Sequence, residues 1–156
     1  MKKLFFTFYS VLTLISCSKT EETLVPDNFT PITIVPEVIK KGNFLGGDVI
    51  FPQQNTIISD TAGWNSIIVT LNNYQNKIED INVNSSPNFN DYTYIAFFDS
   101  VKYDGIHAIG TSNITENATN IVITISYTVT TPNVQSVTQP YHVIKIPKST
   151  KPIIFQ

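Results

Sequence analysis

One segment of the chain has the hydrophobic periodicity of an amphipathic α-helix. Its apolar residues recur at positions i, i+3, i+4 and i+7, and they are Trp64, Ile67, Ile68 and Leu71. This spacing places the four side chains on one face of a helix. Ser59 or Asp60 precedes the stripe and is a suitable N-cap, because its side-chain oxygen can accept a hydrogen bond from the first turn. The pattern therefore predicts a helix over residues 60–72.

Most other apolar positions follow strand patterns. Residues 92–98 are continuously apolar and aromatic, which is typical of a central strand covered on both faces. Residues 121–129 alternate Ile, Tyr and Val with smaller or polar residues, the pattern of a half-buried antiparallel strand. Shorter runs predict further strands at 32–35, 55–59, 106–111, 135–137, 141–146 and 152–155.

Together these elements predict a mainly β fold of the α+β class. We expect an antiparallel sheet of about six strands with one short helix packed on it. The side chains expected in the core are Trp64, Ile68, Leu71, Phe97, Ile123, Ile125 and Ile146.

The first 17 residues have the pattern of an export signal. Lys2 and Lys3 precede an apolar run over residues 4–15, which is shorter than the roughly 20 residues of a transmembrane helix. The run ends in "LISC", which resembles the lipobox of bacterial lipoproteins and places Cys17, the only cysteine, at the acylated position. We therefore expect residues 1–16 to be a cleaved signal peptide. The mature protein would be an outer-membrane lipoprotein, on the periplasmic or cell-surface face, held in the bilayer through acylated Cys17.

The segment after the cysteine differs in composition from the rest. Residues 17–40 are rich in charge, Thr and Pro, so they predict a flexible tether that includes a candidate edge strand or docked tail at 32–35. About 20 flexible residues would reach roughly 25 Å. The folded domain is expected to span residues 41–156.

Charge and composition narrow the classes of partner. All ten basic residues are lysines, and the formal net charge is −2. Removal of the signal peptide leaves eight lysines against twelve acidic residues, a formal charge of −4. Without arginine the chain has no guanidinium fork for phosphate or guanine, and it has no basic stripe, so we expect no nucleic-acid partner.

The chemical inventory favours binding over catalysis. The chain has two histidines, and its acidic residues show no metal-ligand spacing, so we expect no metal and no cofactor. It lacks a G-x-S-x-G motif and a Gly-rich phosphate loop, so we expect a protein that is not an enzyme. His142 shares a strand face with Ile144 and Ile146, so it is interpreted as a hydrogen-bonded residue at the margin of the core. The alternative is that its protonation controls the binding of a partner.

A turn near the middle of the chain gives an alternative function. Asp104 and Gly105 form this candidate turn site together with His107 and His142. If neighbouring strands bring the two histidines together above the Asp104 turn, the protein would be a small-ligand receptor or an atypical enzyme.

A set of motifs spread over residues 41–156 resembles one known family. They are Gly42-Asn43, Trp64, "YIAFFDSVK", the turn at Gly105 and the long tail "TQPYHVIKIPKSTKPIIF". These motifs resemble the C-terminal domain of the PrcB family, named after an accessory lipoprotein of a cell-surface protease complex. The resemblance implies a β-rich extracytoplasmic domain without known catalytic residues, which acts as an accessory module for another exported protein, a protease subunit or a substrate.

The chain departs from that family at the central turn. The family commonly has a Gly-Gly pair followed by an aromatic residue or His, whereas this chain has Tyr103-Asp104-Gly105-Ile106-His107, with a single glycine. Either Asp104 supplies a positive φ here, or the turn is of another type.

The strand at 141–146 is the predicted docking site for a partner. Pro140 and Pro147 bracket it, and prolines in sheets lie mainly at edges or strand ends, so we expect an open edge. An extended peptide could add there and meet the side chains of Tyr141, Val143 and Lys145. Alternatively, residues 152–155 fold back and close that edge.

Overall fold

The described part of the chain begins just before the first strand. A computed structural model describes residues 29–46, 50–74, 86–132 and 135–156. The expected signal peptide and Cys17 lie outside these residues. Within the described ranges, no helix is both long enough and apolar enough to cross a membrane.

Eight strands and one helix make up the described chain, so the mainly β, α+β class is confirmed. The elements are β1 (Ile32–Thr33), β2 (Glu37–Leu45), β3 (Gln54–Ile58), α1 (Thr61–Asn73), β4 (Tyr92–Phe98), β5 (Gly105–Glu116), β6 (Ile121–Pro132), β7 (Thr138–Pro147) and β8 (Ile153–Phe155). They form two four-stranded sheets where one sheet of about six strands was expected. The helix-covered sheet has the order β2-β7-β4-β3, and the outer sheet has the order β1-β5-β6-β8. All pairs are antiparallel except β6 and β8, which are parallel.

The helix begins and packs as its periodicity predicts. Asp60 is the N-cap, and its carboxylate accepts a hydrogen bond from the Gly63 amide at 2.7 Å. The apolar stripe lies on the helix-covered sheet, where it forms one core cluster with Phe44, Ile58, Tyr94, Ala96, Phe98, Tyr141 and Val143.

A second core lies between the two sheets, and it explains why the fold needs a second sheet to cover the apolar residues. The cluster contains Ile95, Phe97, Ile109, Ile114, Ile121, Ile123, Ile144 and Ile146. Strands β4 and β7 carry apolar residues on both faces, so one face is covered by α1 and the other requires a second sheet. All of the expected core residues are buried except Ile125, which is partly buried against this cluster.

The prediction that residues 141–146 form an edge strand is wrong. Strand β7 lies between β2 and β4 and pairs with both. Its prolines lie towards the two ends of the strand, opposite Asn43 and Tyr92, where a missing N–H disturbs the ladder least. The alternative that residues 152–155 close this edge is also wrong, since β8 pairs with β6 in the other sheet.

The side chains expected to receive a partner on β7 are therefore occupied within the fold. Tyr141 and Val143 are buried under α1. The ammonium of Lys145 lies 2.9 Å from Oε1 of Glu37 and 4.6 Å from the ring centre of Tyr92. Strand addition at these three residues loses its premise, the open edge, and this surface faces the protein's own core and its own carboxylate.

The folded domain starts earlier than residue 41. Strand β1 pairs with the end of β5, and the Ile34 amide donates to the carbonyl of Ile114 at 2.8 Å. Strand β2 begins at Glu37, inside the segment expected to be a tether. A β-bulge between Val38 and Lys40 breaks the alternation of polar and apolar residues, so the sequence pattern did not reveal this strand.

Lys151 fastens the first described residues to one end of the domain. Its ammonium donates to the Asn117 carbonyl at 2.7 Å and lies 2.8 Å from Oε1 of Glu116. It also lies 4.1 Å from the ring centre of Phe29. The start of the described chain is thus held beside the turn that joins β5 to β6.

Candidate functional site

A cleft of about 260 Å³ opens between the two sheets on the side of β2 and β5. Strand β2 lines it with Lys41, Gly42 and Asn43, and β5 lines it with residues 106–109. Thr130 and Tyr141 complete the lining. Among the described strands, β2 is an edge strand and β5 has a neighbour on this side only near Thr115 and Glu116, so the cleft lies between two strand edges.

Asn43 bridges this gap between the sheets. Its Nδ2 donates to the backbone carbonyl of His107 at 2.8 Å, in place of a strand partner. The side chain is 6% exposed, and its Oδ1 has no hydrogen-bond partner among the residues that the structure describes. Buried amide oxygens are nearly always hydrogen-bonded, so this acceptor is an unusual feature of the cleft.

Of the turn residues, His107 lines the cleft and Asp104 lies beside it, next to Gly105. His107 Nε2 lies 3.0 Å from Oδ1 of Asp104, whose side chain is 84% exposed. Gly105 has a φ of +130°, and a Cβ there would lie 2.7 Å from the Thr131 carbonyl oxygen. The single glycine therefore supplies the left-handed conformation that the turn requires.

His142 does not join this group. It is 6% exposed in the core between the sheets, 6.0 Å from the ring centre of Phe97, and Gly110 approaches its ring. Neither ring nitrogen has a hydrogen-bond partner within the described ranges, so the expected bond to a backbone group or hydroxyl is absent there. No hydrogen bond or ring contact links His107 and His142 in the described structure, so an alternative function that needs both histidines gains no support.

The electrostatics of His142 follow from its position. Burial, and to a smaller extent the positive charge of the neighbouring Lys41, together lower the pKa of its imidazole from 6.5 to about 4. The ring is therefore neutral at neutral pH. A neutral, enclosed imidazole suits a core position better than a proton-transfer site open to solvent.

Lys41 gives the cleft its charge. It is opposite His142 on β2, its side chain is exposed, and no carboxylate of a described residue lies within salt-bridge distance. Thr130 is the lining residue with an aliphatic hydroxyl, and this hydroxyl donates a hydrogen bond to the Ile106 carbonyl at 2.9 Å. No group of three potential metal ligands occurs within the part of the chain that the structure describes. The arrangement can bind a small group and offers no activated nucleophile among the cleft's lining residues.

A second feature is the far half of β6, residues 126–132, named here the β6 extension. Strand β8 pairs with residues 121–123 only, and the last backbone bond on that side runs from the Ile125 amide to the Gln156 carbonyl. Beyond it, no described strand covers this edge of β6. Tyr127 and Val129 continue the alternation of the buried isoleucines but are 56% and 51% exposed.

The edges at β2 and β1 are better protected than the β6 extension. Strand β2 carries a bulge and Lys40 and Lys41, while β1 is two residues long between Pro31 and Pro36. Bulges, charges, prolines and short length are the usual devices that prevent pairing with another chain. The β6 extension is longer than β1 and carries no charge, although the sequence predicted it only as an ordinary half-buried strand.

Comparisons with known proteins identified no similar protein. A scan against protein-family models, a search of curated proteins and a search of solved structures each found no match.

Proposed function

We propose that the chain is an exported lipoprotein whose domain is a non-catalytic accessory module. In this proposal acylated Cys17 holds it in the outer membrane, on the periplasmic or the cell-surface face, and the domain retains another exported protein there. The partner is a subunit or a substrate of an exported protease complex. The export signal, the lipobox-like "LISC" and the motifs that resemble the PrcB family support this proposal, and all three are features of the sequence.

The β6 extension is the structural observation that carries the binding part of the proposal. An unpaired strand edge presents N–H and C=O groups that an extended peptide can satisfy. Here such an edge coincides with two exposed apolar side chains, Tyr127 and Val129. An aromatic residue with a polar hydroxyl is well suited to an interface, because it buries a large area at low entropic cost.

The proposed partner segment is an extended peptide that continues the line of β8. Strand β8 ends opposite Ile123, and the Gln156 backbone still pairs with Ile125. A strand added beyond that point would lie beside residues 126–132 and form an uninterrupted ladder with β6. Its alternate side chains would contact Tyr127 and Val129, so the proposal favours apolar or β-branched residues at every second position.

The test compares two exposed tyrosines. In Tyr127→Lys a charge replaces the apolar contact on the proposed edge, and in the control Tyr103→Lys the same change is made at a side chain that is 70% exposed outside it. A photo-crosslinking residue at Thr128 identifies the protein that touches the edge in intact cells. We expect Tyr127→Lys to reduce the crosslinked partner about tenfold, which corresponds to about 1.4 kcal/mol. Equal recovery of the partner with both lysine variants would refute the site.

A further inference from the structure

The cleft between β2 and β5 is separate in its chemistry from the β6 extension. Three of its features each specify part of a ligand: a buried amide oxygen, an ammonium at the rim and an apolar wall.

The buried amide oxygen requires a hydrogen-bond donor. Asn43 already uses its Nδ2 for the His107 carbonyl, which fixes the orientation of the amide. Its Oδ1 then remains without a partner in the described structure, on a residue that lines the cleft. A ligand N–H that enters beside Asn43 would satisfy this acceptor after a small movement of the side chain. Because Lys41 already places a positive charge here, a neutral amide N–H fits better than an ammonium.

The ammonium specifies the ligand's charge. Lys41 lines the cleft without an acidic partner among the described residues, whereas Lys102, Lys145 and Lys151 each pair with a carboxylate. A carboxylate on the ligand would form a charge-assisted hydrogen bond with it. The carboxylate of Asp104 lies 3.0 Å from Nε2 of His107, which lines the cleft, so a second negative charge on the ligand beside His107 would be repelled.

The remaining wall and the size of the cleft limit the rest of the ligand. Ile106, Ala108 and Ile109 supply apolar surface. The volume of about 260 Å³ lies below the range of about 300–1,000 Å³ that is typical of drug-sized ligands. The space suits a single residue with an apolar side chain.

We propose that the cleft binds an N-acylated apolar amino acid through its free carboxylate, either as a small molecule or as the last residue of a peptide. Lys41 pairs with the carboxylate, Asn43 Oδ1 accepts the amide N–H, and the β5 wall contacts the side chain. Of the residues that line the cleft, only Thr130 belongs to the β6 extension, so Tyr127 and Val129 lie outside this site.

The experiment measures binding by calorimetry on the full chain in detergent. N-acetyl-L-leucine carries all three groups, and N-acetyl-L-leucinamide lacks only the carboxylate. We expect the amide to bind at least about tenfold more weakly, the effect of losing one charge-assisted contact. N-acetyl-L-aspartate should also bind more weakly, because its second carboxylate meets Asp104. Equal affinity for N-acetyl-L-leucine and its amide would overturn the proposal, as would absence of binding at millimolar concentration.

Substitutions at residues that line the cleft test whether the ligand binds there. Lys41→Gln should weaken N-acetyl-L-leucine about tenfold, and Ala108→Leu should abolish binding because it fills the cleft without removing a polar contact. Lys148→Gln, at an exposed lysine outside the cleft, is the matched control. Unchanged affinity in both cleft variants, with thermal midpoints near wild type, would refute the location.

Binding of a short peptide distinguishes the two sources of the ligand. If acetyl-Gly-Gly-Leu binds at least as tightly as N-acetyl-L-leucine, the natural ligand is a peptide carboxyl terminus; if only the small molecule binds, it is a free acylated amino acid. Tyr127→Lys should leave both affinities unchanged. Loss of the crosslinked partner without loss of ligand, or the reverse, therefore separates this inference from the proposed function.

Discussion

The indole of Trp64 meets the ring of Tyr94 edge-on, with ring centres 4.8 Å apart, and this contact joins α1 to the middle of the helix-covered sheet. Trp64→Ala should lower the free energy of unfolding by about 3–5 kcal/mol, because it leaves a cavity beneath the helix. Chemical denaturation followed by circular dichroism measures the change. Val69→Ala, at an exposed position of the same helix, should have little effect. An unchanged denaturation midpoint for Trp64→Ala would contradict the packing of α1 on the sheet.

Gly105 should be far less tolerant of substitution than Gly46, the other described glycine with a positive φ. Gly46→Ala introduces backbone strain alone, since its Cβ would meet nothing closer than the Tyr74 hydroxyl at 3.9 Å. Gly105→Ala adds a clash with the Thr131 carbonyl to the same strain. We expect Gly46→Ala to cost about 1–3 kcal/mol of stability and Gly105→Ala to cost more. Thermal unfolding of the two variants checks the order, and similar midpoints would contradict it.

His142 should make the domain less stable as the pH falls. Its pKa is about 4 in the folded protein and 6.5 in the unfolded chain, so the unfolded state binds the proton first. The stability that the neutral ring contributes is therefore present above pH 6.5 and is lost as the pH falls towards 4, by about 3 kcal/mol in total. Lys41 is the charged neighbour that adds to burial.

The variant His142→Leu isolates this contribution from the titration of the carboxylates. Leucine cannot be protonated, so the variant should lose less stability than wild type between pH 6.5 and pH 4. Urea denaturation at a series of pH values gives the two curves. Parallel curves across that window would show that His142 is not the titrating group.

Gln139 should stabilise the connection before β3 although it is polar and fully buried. Its side chain accepts from the Ile50 amide at 2.9 Å and donates to the Asp99 carbonyl at 3.0 Å. Gln139→Leu leaves these buried backbone groups unpaired, at about 1–3 kcal/mol for each group. Hydrogen exchange at the Ile50 amide should accelerate with the loss of stability. Gln135→Leu is the exposed control, and equal stability of the two variants would contradict this role.

The proposed anchor predicts the fate of Cys17→Ala. The variant should no longer incorporate labelled fatty acid and should leave the membrane fraction, because acyl chains supply the attachment. Equal labelling of the variant and the wild type would remove the lipoprotein proposal. Protease treatment of intact cells then shows whether the domain faces the periplasm or the outside.

The features predicted correctly from the sequence are those that depend on local patterns. The helix was predicted because Asp60 and the stripe from Trp64 to Leu71 lie within one stretch, and β4 because it is apolar throughout. The second sheet was not predicted, because the sequence of a strand does not say what covers each face. The prolines of β7 were interpreted as signs of an edge, but in a long strand they can also lie near its ends.

The cleft could not be predicted for a different reason. Its central contact joins Asn43 to His107, 64 residues apart, and β2 itself was hidden by a bulge. The available signal was the polar pair Lys41 and Asn43 on either side of Gly42, just before the buried Phe44. Only the pairing of β2 with β7 places these side chains opposite β5.

The attachment of Phe29 beneath Lys151 has a mechanical consequence. Among the described contacts, tension on the chain ahead of Phe29 acts first on this cation–π contact, and then on the pairing of β1 with β5 and the hydrogen bond from the Ile34 amide to the Ile114 carbonyl. Their rupture would free the eight residues from 29 to 36, whose fully extended length is roughly 25–30 Å at about 3.3–3.6 Å per residue. The next element to bear the load would be β2, which is paired along most of its length with β7. Residues 29–36 would thus detach and extend under load before force reaches the central strands of either sheet.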